Sequence, residues 1–154
     1  MTFETLQHNR EYRPEEVVCN VLQKLQGEHQ EVVFMLMLND KNEVLGEELI
    51  AKGTMNTAAV QLRDIFQCTL KHGASRIILM HNHPSGDPTP SEADILLTDR
   101  ILEYGDLLGI TLIDHIIIGG TKRWSWREEC MAGDMCSTIE KDISSCTYKV
   151  MRKF

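Results

Sequence analysis

The chain has 154 residues, of which 42% are hydrophobic and 25% are charged, and these proportions are typical of a soluble globular domain with one hydrophobic core. A formal net charge of −7 argues against a broad basic surface, so we do not expect this chain alone to bind nucleic acid directly. Residues 1–14 lack the apolar segment of a signal peptide, and the longest apolar run, at 32–38, is too short to cross a bilayer. These features predict a cytoplasmic protein without a membrane partner.

Segments with helical and strand patterns alternate along the chain. Acidic residues after Pro14 are typical of a helix start, and glycines at several predicted ends are typical of helix C-caps. The predicted elements, in chain order, are a helix at 14–27, strands at 32–38 and 44–51, a helix at 57–71, a strand at 77–80, a helix at 91–104, a strand at 111–118 and a short strand at 124–126.

This order predicts an α/β domain in which helices flank a mixed central β-sheet. The run at 32–38 is apolar at nearly every position, which indicates a strand buried on both faces, and the strand at 44–51 follows a polar turn as its antiparallel neighbour. We assign residues 1–13 to an N-terminal extension, 14–130 to the domain, and 131–154 to a tail that is weakly ordered or adds a strand.

Five cysteines are scattered along the chain, at Cys19, Cys68, Cys130, Cys136 and Cys146. Their number is odd, no two form a Cys-x-x-Cys pair, and no export signal accompanies them. We therefore expect reduced thiols rather than disulfides or a thiolate zinc site.

The most informative segment begins where the strand at 77–80 ends. Because side chains alternate along a strand, His81 and His83 point to one face and Asn82 to the other. A loop rich in proline and glycine follows, and Ser91-x-x-Asp94 begins the next predicted helix, so the Asp94 carboxylate can turn back toward the histidines. Two histidines and one carboxylate, with a fourth position open, are typical of a catalytic zinc site.

Other interpretations of these residues compete with metal binding. Ser91 and Asp94 have the spacing of a capping box, in which the Asp94 carboxylate binds a backbone N–H. We expect this carboxylate to take one of the two uses and favour ligation. Lone histidines such as His72 and His115 are expected to be structural. The string His-Asn-His also suggests an HNH nuclease, but those enzymes need histidines separated along a ββα finger.

The spacing His-x-His, seven residues, Ser, two residues, Asp resembles the JAMM motif of the JAB/MPN metalloprotease family. The flanking sequences ILMHNHPSGD at 78–87 and LIDHIIIG at 112–119 resemble the bacterial RadC branch of that family. GTMN at 53–56 and RDIF at 63–66 resemble it too. The resemblance extends over about residues 17–129.

The resemblance implies a JAB/MPN fold of the cytidine-deaminase-like type, with Zn²⁺ held by His81, His83 and Asp94. It also implies that Ser91 supports the metal-bound water or the tetrahedral intermediate by hydrogen bonding. A glutamate before the strand that follows the first helix is the acid/base, and Glu31 occupies that place. The remaining glutamates of the next strand region are alternatives at this stage, namely Glu43, Glu47 and Glu48.

The function implied is a zinc-dependent hydrolase that cleaves peptide or isopeptide bonds in a protein or peptide substrate. The alternative is a non-catalytic metal-binding interaction module within a DNA repair or mobile-element complex. Longer RadC proteins carry an N-terminal helix-hairpin-helix segment, for which this chain has no room, so we expect a stand-alone module. The link to DNA repair comes with the RadC name.

Overall fold

The computed structural model describes residues 14–53, 60–132 and 141–142, which contain four helices and six strands. The helices are α1 (Pro14–Gln26), α2 (Leu62–Lys71), α3 (Glu92–Leu108) and α4 (Trp126–Ala132). The strands are β1 (Val32–Leu38), β2 (Val44–Lys52), β3 (Arg76–Asn82), β4 (Thr111–Gly119), β5 (Lys122–Ser125) and β6 (Lys141–Asp142).

The strands form one mixed sheet in the order β2-β1-β3-β4-β5-β6. β1 is antiparallel to both β2 and β3, whereas β3 and β4 are parallel and are joined by the crossover helix α3. β5 and β6 extend the sheet as antiparallel strands. The predicted α/β fold with a mixed sheet flanked by helices is confirmed.

Apolar side chains cover both faces of the sheet. On one face, α1 packs against alternate residues of β1, β3 and β4, among them Leu36 and Ile78. On the other face, α2 and α3 pack against the intervening residues, among them Met35 and Leu79. Because strand side chains have a period of two, His81 continues the Leu79 side of β3 and faces α3.

Two helices differ from the predicted ones at one end. α2 begins at Leu62, since residues 60 and 61 are not helical, and the predicted positions 57–59 lie outside the described residues. α3 continues to Leu108, about one turn beyond the predicted end. It ends there because Gly109 adopts a left-handed backbone, with a φ of 72°.

The predicted strand at 124–126 ends one residue early, and α4 starts in its place. Asp114, which is fully buried on β4, accepts a hydrogen bond from the Arg127 backbone N–H (2.9 Å). Its other oxygen accepts from the Ser125 hydroxyl (2.6 Å). This carboxylate satisfies a helix N-terminus that sequence periodicity alone did not indicate.

Cys19 on α1 is disulfide-bonded, whereas Cys68 and Cys130 are free thiols. The expectation of reduced thiols throughout is therefore wrong at Cys19. That expectation used the number and spacing of the cysteines, and neither excludes a bridge between positions that folding brings together.

The division into extension, domain and tail stays a prediction, because residues 1–13 and most of 131–154 lie outside the described residues. Within the tail, residues 141–142 form β6 and pair with β5. Among the described helices, none has both the length and the apolar character that a membrane crossing requires.

Candidate metal centre

Two imidazoles meet at the end of β3, on the side of the sheet that faces α3. The Nε2 atoms of His81 and His83 are 3.1 Å apart. His81 is fully buried, and His83 is 16% exposed, so the centre opens to solvent on the His83 side. Nδ1 of His83 lies 2.9 Å from the carbonyl oxygen of Asp87. Because a carbonyl oxygen only accepts, Nδ1 carries the proton and Nε2 presents a lone pair to the centre.

Asp94, in the first turn of α3, brings a carboxylate to both rings. Its Oδ1 lies 3.2 Å from His81 Nε2, and its Oδ2 lies 3.1 Å from His83 Nε2. The capping box is also formed: Oδ2 accepts from the Ser91 N–H (2.8 Å), and Ser91 Oγ accepts from the Asp94 N–H (3.1 Å). The cap uses Oδ2 and leaves Oδ1 directed toward His81 without a hydrogen-bond donor, so the ligation that we favour stays a prediction.

Glu31 completes the cluster from the neighbouring strand. β1 pairs with β3 so that Val33 is opposite His81, and Glu31 immediately precedes β1, two residues before Val33. Its Oε1 lies 3.9 Å from His81 Nε2. Glu47 and Glu48 lie on β2, which β1 separates from β3. The sheet register therefore brings Glu31 to the histidines and keeps the glutamates of β2 away.

Asn82, between the two histidines, holds the segment that carries Glu31. Its side chain points to the opposite face, where Oδ1 accepts from the Val32 N–H (2.7 Å). Its Nδ2 donates to the carbonyls of Gln30 (2.9 Å) and Glu28 (3.4 Å). The residue that separates the ligands along β3 therefore fixes the backbone on both sides of Glu31.

Replacing Asn82 with alanine is expected to lower the free energy of unfolding by about 1–3 kcal/mol, because the buried N–H of Val32 and the partly buried carbonyl of Gln30 lose their partner. Metal affinity should change little, since the side chain lies on the face opposite His81. Denaturant unfolding and a zinc titration measure the two quantities. Asn39→Ala, which removes similar bonds from an exposed turn, is the control and should cost less. Unchanged stability of the Asn82 variant would contradict this role.

The loop after His83 packs directly on β4. The His83 N–H donates to the Ile118 carbonyl (2.7 Å), and a side chain on Gly119 would collide with the backbone of Asp87 and Pro88. Backbone atoms cannot move aside as a flexible side chain can. Gly119 is therefore required for the loop position in which the Asp87 carbonyl orients the His83 ring.

The four side chains fit a metal ion. One potential ligand atom from each of Glu31, His81, His83 and Asp94 lies within 4.8 Å of the other three. Within the described part of the chain, no donor hydrogen-bonds to Asp94 Oδ1, although this oxygen is fully buried. A buried carboxylate oxygen without a partner is costly, and a cation at this place would satisfy it.

The electrostatics of the cluster favour a charged Asp94. Burial by itself would raise the pKa of this carboxyl, but the contacts from His81 and His83 outweigh burial and hold the pKa far below its ordinary range. Burial raises the pKa of Glu31, and the nearby imidazoles oppose that rise. Burial acts to lower the pKa of His83, but hydrogen bonds with Asp94 and Asp87 raise it above its ordinary value.

The raised pKa of His83 predicts that metal affinity falls as the pH falls. A ligand imidazole must be deprotonated at Nε2, so below this pKa protons compete with the metal, by up to about tenfold in affinity per pH unit for one proton. Zinc titrations at about pH 8 and about pH 6 measure the effect. A variant of the exposed His29, His29→Gln, should show the same slope. Affinity that does not depend on pH would contradict the prediction.

The sequence comparisons assign this chain to a family. A family model described as a RadC-like JAB domain matches residues 12–131. The chain belongs to the RadC-like JAB domain family. The resemblance to the RadC branch, first identified from the His81–Asp94 spacing and its flanks, is confirmed.

Curated relatives of this RadC-like chain carry the name UPF0758 protein. The relative from Desulforamulus reducens is 47% identical over 109 residues, which cover 71% of this chain and 48% of the relative. Those from Caldanaerobacter subterraneus and Enterococcus faecalis are 41% and 43% identical, and each alignment covers 75% of this chain and 50% of the relative. The chain spans about half the length of these relatives.

Ser91 lies at the mouth of the RadC-like centre as the N-cap of α3, and it is exposed. Its Oγ accepts from the Asp94 N–H, and this bond leaves the hydroxyl proton free to donate. Among the described residues, no acceptor takes that proton. The capping bond therefore orients the Ser91 hydroxyl and leaves its proton free to donate.

His115 and Thr98 are two further polar residues next to this RadC-like site that sequence reasoning did not assign to it. His115 was expected to be structural, yet its Nε2 lies 2.9 Å from Nδ1 of His81. It is fully buried, and burial together with the neighbouring His81 lowers its pKa well below the ordinary value, so the ring is neutral. His115 lies on a strand parallel to β3 and faces the same side of the sheet as His81. A histidine within the apolar run at 112–118 was the sequence feature that could have indicated it.

Proposed function

We propose that this RadC-like chain is a zinc-dependent hydrolase that cleaves peptide or isopeptide bonds. The observation that carries the proposal is the buried cluster of Glu31, His81, His83 and Asp94, whose potential ligand atoms lie within 4.8 Å of one another. Two imidazoles and a carboxylate form the donor set of hydrolytic zinc sites, with a further position left for chemistry. His81, His83 and Asp94 would hold the ion, and zinc would supply Lewis-acid activation of water near neutral pH.

Glu31 would act as the general base and then the general acid. Its carboxylate lies at the edge of the cluster, 3.9 Å from His81, and burial raises its pKa toward the pH at which a proton acceptor works best. Oε1 would take a proton from the attacking water and deliver it to the leaving amine. Asn82 supports this role, since it fixes the backbone before and after Glu31.

Ser91 would stabilise the charge that develops on the carbonyl oxygen of the substrate. Its hydroxyl proton is free to donate, and its backbone position is fixed by the capping box. Loss of one such donor typically costs about 10²–10³ in rate. Ser91 is exposed and His83 is partly exposed, which supports an approach of the substrate from this side of the centre.

The proposal is tested by incubating the zinc-loaded protein with a proteome-derived peptide library and with isopeptide-linked substrates, and by detecting new amino termini by mass spectrometry. His81→Ala, which removes one ligand, is the matched inactive variant. We expect cleavage products that appear with the unchanged protein and are missing with the variant. Identical product sets across all substrates would contradict hydrolysis and favour the non-catalytic interaction module.

A further inference from the structure

A chain of buried polar contacts connects two of the metal-site residues through side chains that lie outside the cluster. His81 Nδ1 lies 2.9 Å from His115 Nε2, and His115 Nδ1 lies 2.7 Å from Thr98 Oγ1. Thr98 Oγ1 lies 3.0 Å from the backbone carbonyl of Asp94. All four residues are buried. The contacts therefore run from one ligand to another without reaching solvent.

The fold places these residues at successive steps. β3 and β4 are parallel, with Leu79 opposite His115, so His115 faces the same side of the sheet as Leu79 and His81. Thr98 lies one turn after Asp94 on α3, and its hydroxyl bonds back to the carbonyl four residues earlier. Helix α3, which joins β3 to β4, therefore carries both the Asp94 carboxylate and Thr98, the last side chain in this series of polar contacts.

The hydrogen bonds in this series of contacts can run in two directions. A neutral imidazole has one N–H and one lone pair. In the first direction, Thr98 O–H donates to the Asp94 carbonyl, His115 Nδ1–H donates to Thr98, and His81 Nδ1–H donates to His115 Nε2. His81 Nε2 then keeps its lone pair. In the second direction Thr98 O–H donates to His115 Nδ1 and no longer to the Asp94 carbonyl, and His115 Nε2–H donates to His81 Nδ1. The His81 proton then lies on Nε2, 3.2 Å from Asp94 Oδ1.

We propose that His115 and Thr98 are positioning residues that hold His81 in the Nδ1–H tautomer, so that Nε2 offers its lone pair to a metal ion. Only the first direction leaves the Nε2 lone pair free. That direction is favoured because the Asp94 carbonyl oxygen can only accept and therefore takes the Thr98 proton. Partners of this kind fix the tautomer and the orientation of ligand histidines. The inference rests on the proposed metal site and adds two residues to it that touch neither the metal nor the substrate.

Paired variants of Thr98 test the inference by zinc affinity. Thr98→Val keeps the side-chain shape but leaves His115 Nδ1–H without an acceptor. The hydrogen bond between His115 and His81 then reverses its direction, and the His81 proton moves to Nε2, the atom that would bind the metal. Zinc affinity should fall by about 10- to 100-fold. Thr98→Ser keeps the hydroxyl and should restore the affinity. Thr69→Val is the control, because Thr69 is also buried and makes the same bond to the carbonyl four residues earlier.

A second measurement uses the unchanged protein and does not depend on how a variant folds. In the zinc-loaded chain with ¹⁵N-labelled histidine, long-range proton–nitrogen spectra should show His115 protonated at Nδ1 and not at Nε2. His81 should also carry its proton on Nδ1. His115 with its proton on Nε2 would overturn the inference.

The outcomes separate this inference from the function it rests on. If the unchanged protein binds no zinc, the proposed metal site fails. If it binds zinc and Thr98→Val binds as tightly, the site stands and the positioning role is overturned. A loss in Thr98→Val that Thr98→Ser restores, with Thr69→Val unaffected, is the result we expect.

Discussion

Replacing Glu31 with glutamine is expected to slow amide hydrolysis by about 10²- to 10⁴-fold while zinc remains bound. Glutamine has nearly the same size and can keep the packing at the edge of the cluster, but it cannot accept the proton of the attacking water. The three residues that we assign as ligands are untouched by this change. The loss should therefore appear in the rate of the chemical step.

The measurement is kcat/KM for a substrate from the library screen, together with zinc content of the purified variant. Glu48→Gln is the matched control, since Glu48 lies on β2 and is exposed. Its rate should equal that of the unchanged protein. A Glu31→Gln protein that keeps both zinc and the full rate would show that the acid/base role belongs to another residue.

Replacing Asp94 with asparagine is expected to weaken zinc binding by more than about 100-fold, which exceeds the loss typical of residues that only orient a ligand. Asparagine is isosteric and its side-chain oxygen can still accept from the Ser91 N–H, so the cap of α3 is kept. The change removes the only negative charge among the three residues assigned as ligands. Competition with a chelator measures the affinity.

Asp99→Asn is the control for this variant, because Asp99 lies on the same helix and is exposed. It should bind zinc as the unchanged protein does. Asp94→Asn with unchanged zinc affinity would contradict the assigned ligand set.

In the metal-free protein, Asp94 should also make the free energy of unfolding depend on pH. Burial alone would raise the pKa of this carboxyl, but His81 and His83 lower it well below 3.8. A group whose pKa is lowered on folding stabilises the folded state above its ordinary pKa, and that contribution is lost as the pH falls toward the lowered value. The Asp94→Asn protein should therefore lose less stability on acidification than the unchanged protein, as measured by denaturant unfolding.

The sequence was most informative where one strand determines the geometry. His81 and His83 follow an apolar run, so period two alone places both rings on one face. The buried strand β1 and the mixed sheet follow from the same reasoning. The spacing of Asp94 behind the loop added a carboxylate, and family resemblance then added roles for Ser91 and Glu31.

Residue spacing alone could not assign residues whose position depends on contacts between strands. It left Glu43, Glu47 and Glu48 as alternatives to Glu31, and the strand register that separates Glu31 from the glutamates of β2 is not contained in a single sequence. Asn82 and His115 act through partners about 30 to 50 positions away. Asp94 was expected to serve either as a cap or as a ligand, whereas the cap that the structure shows uses Oδ2 and leaves Oδ1 directed toward His81.

The most direct test of the metal centre is X-ray absorption at the zinc edge of the zinc-loaded protein, combined with the zinc content per chain. We predict one zinc ion per chain, bound by nitrogen and oxygen ligands at about 2.0–2.2 Å, with the scattering pattern of two imidazoles. His81→Ala should lose the ion. Zinc bound by sulfur at about 2.3 Å, or a chain that binds no zinc, would contradict the assignment of His81, His83 and Asp94 as its ligands.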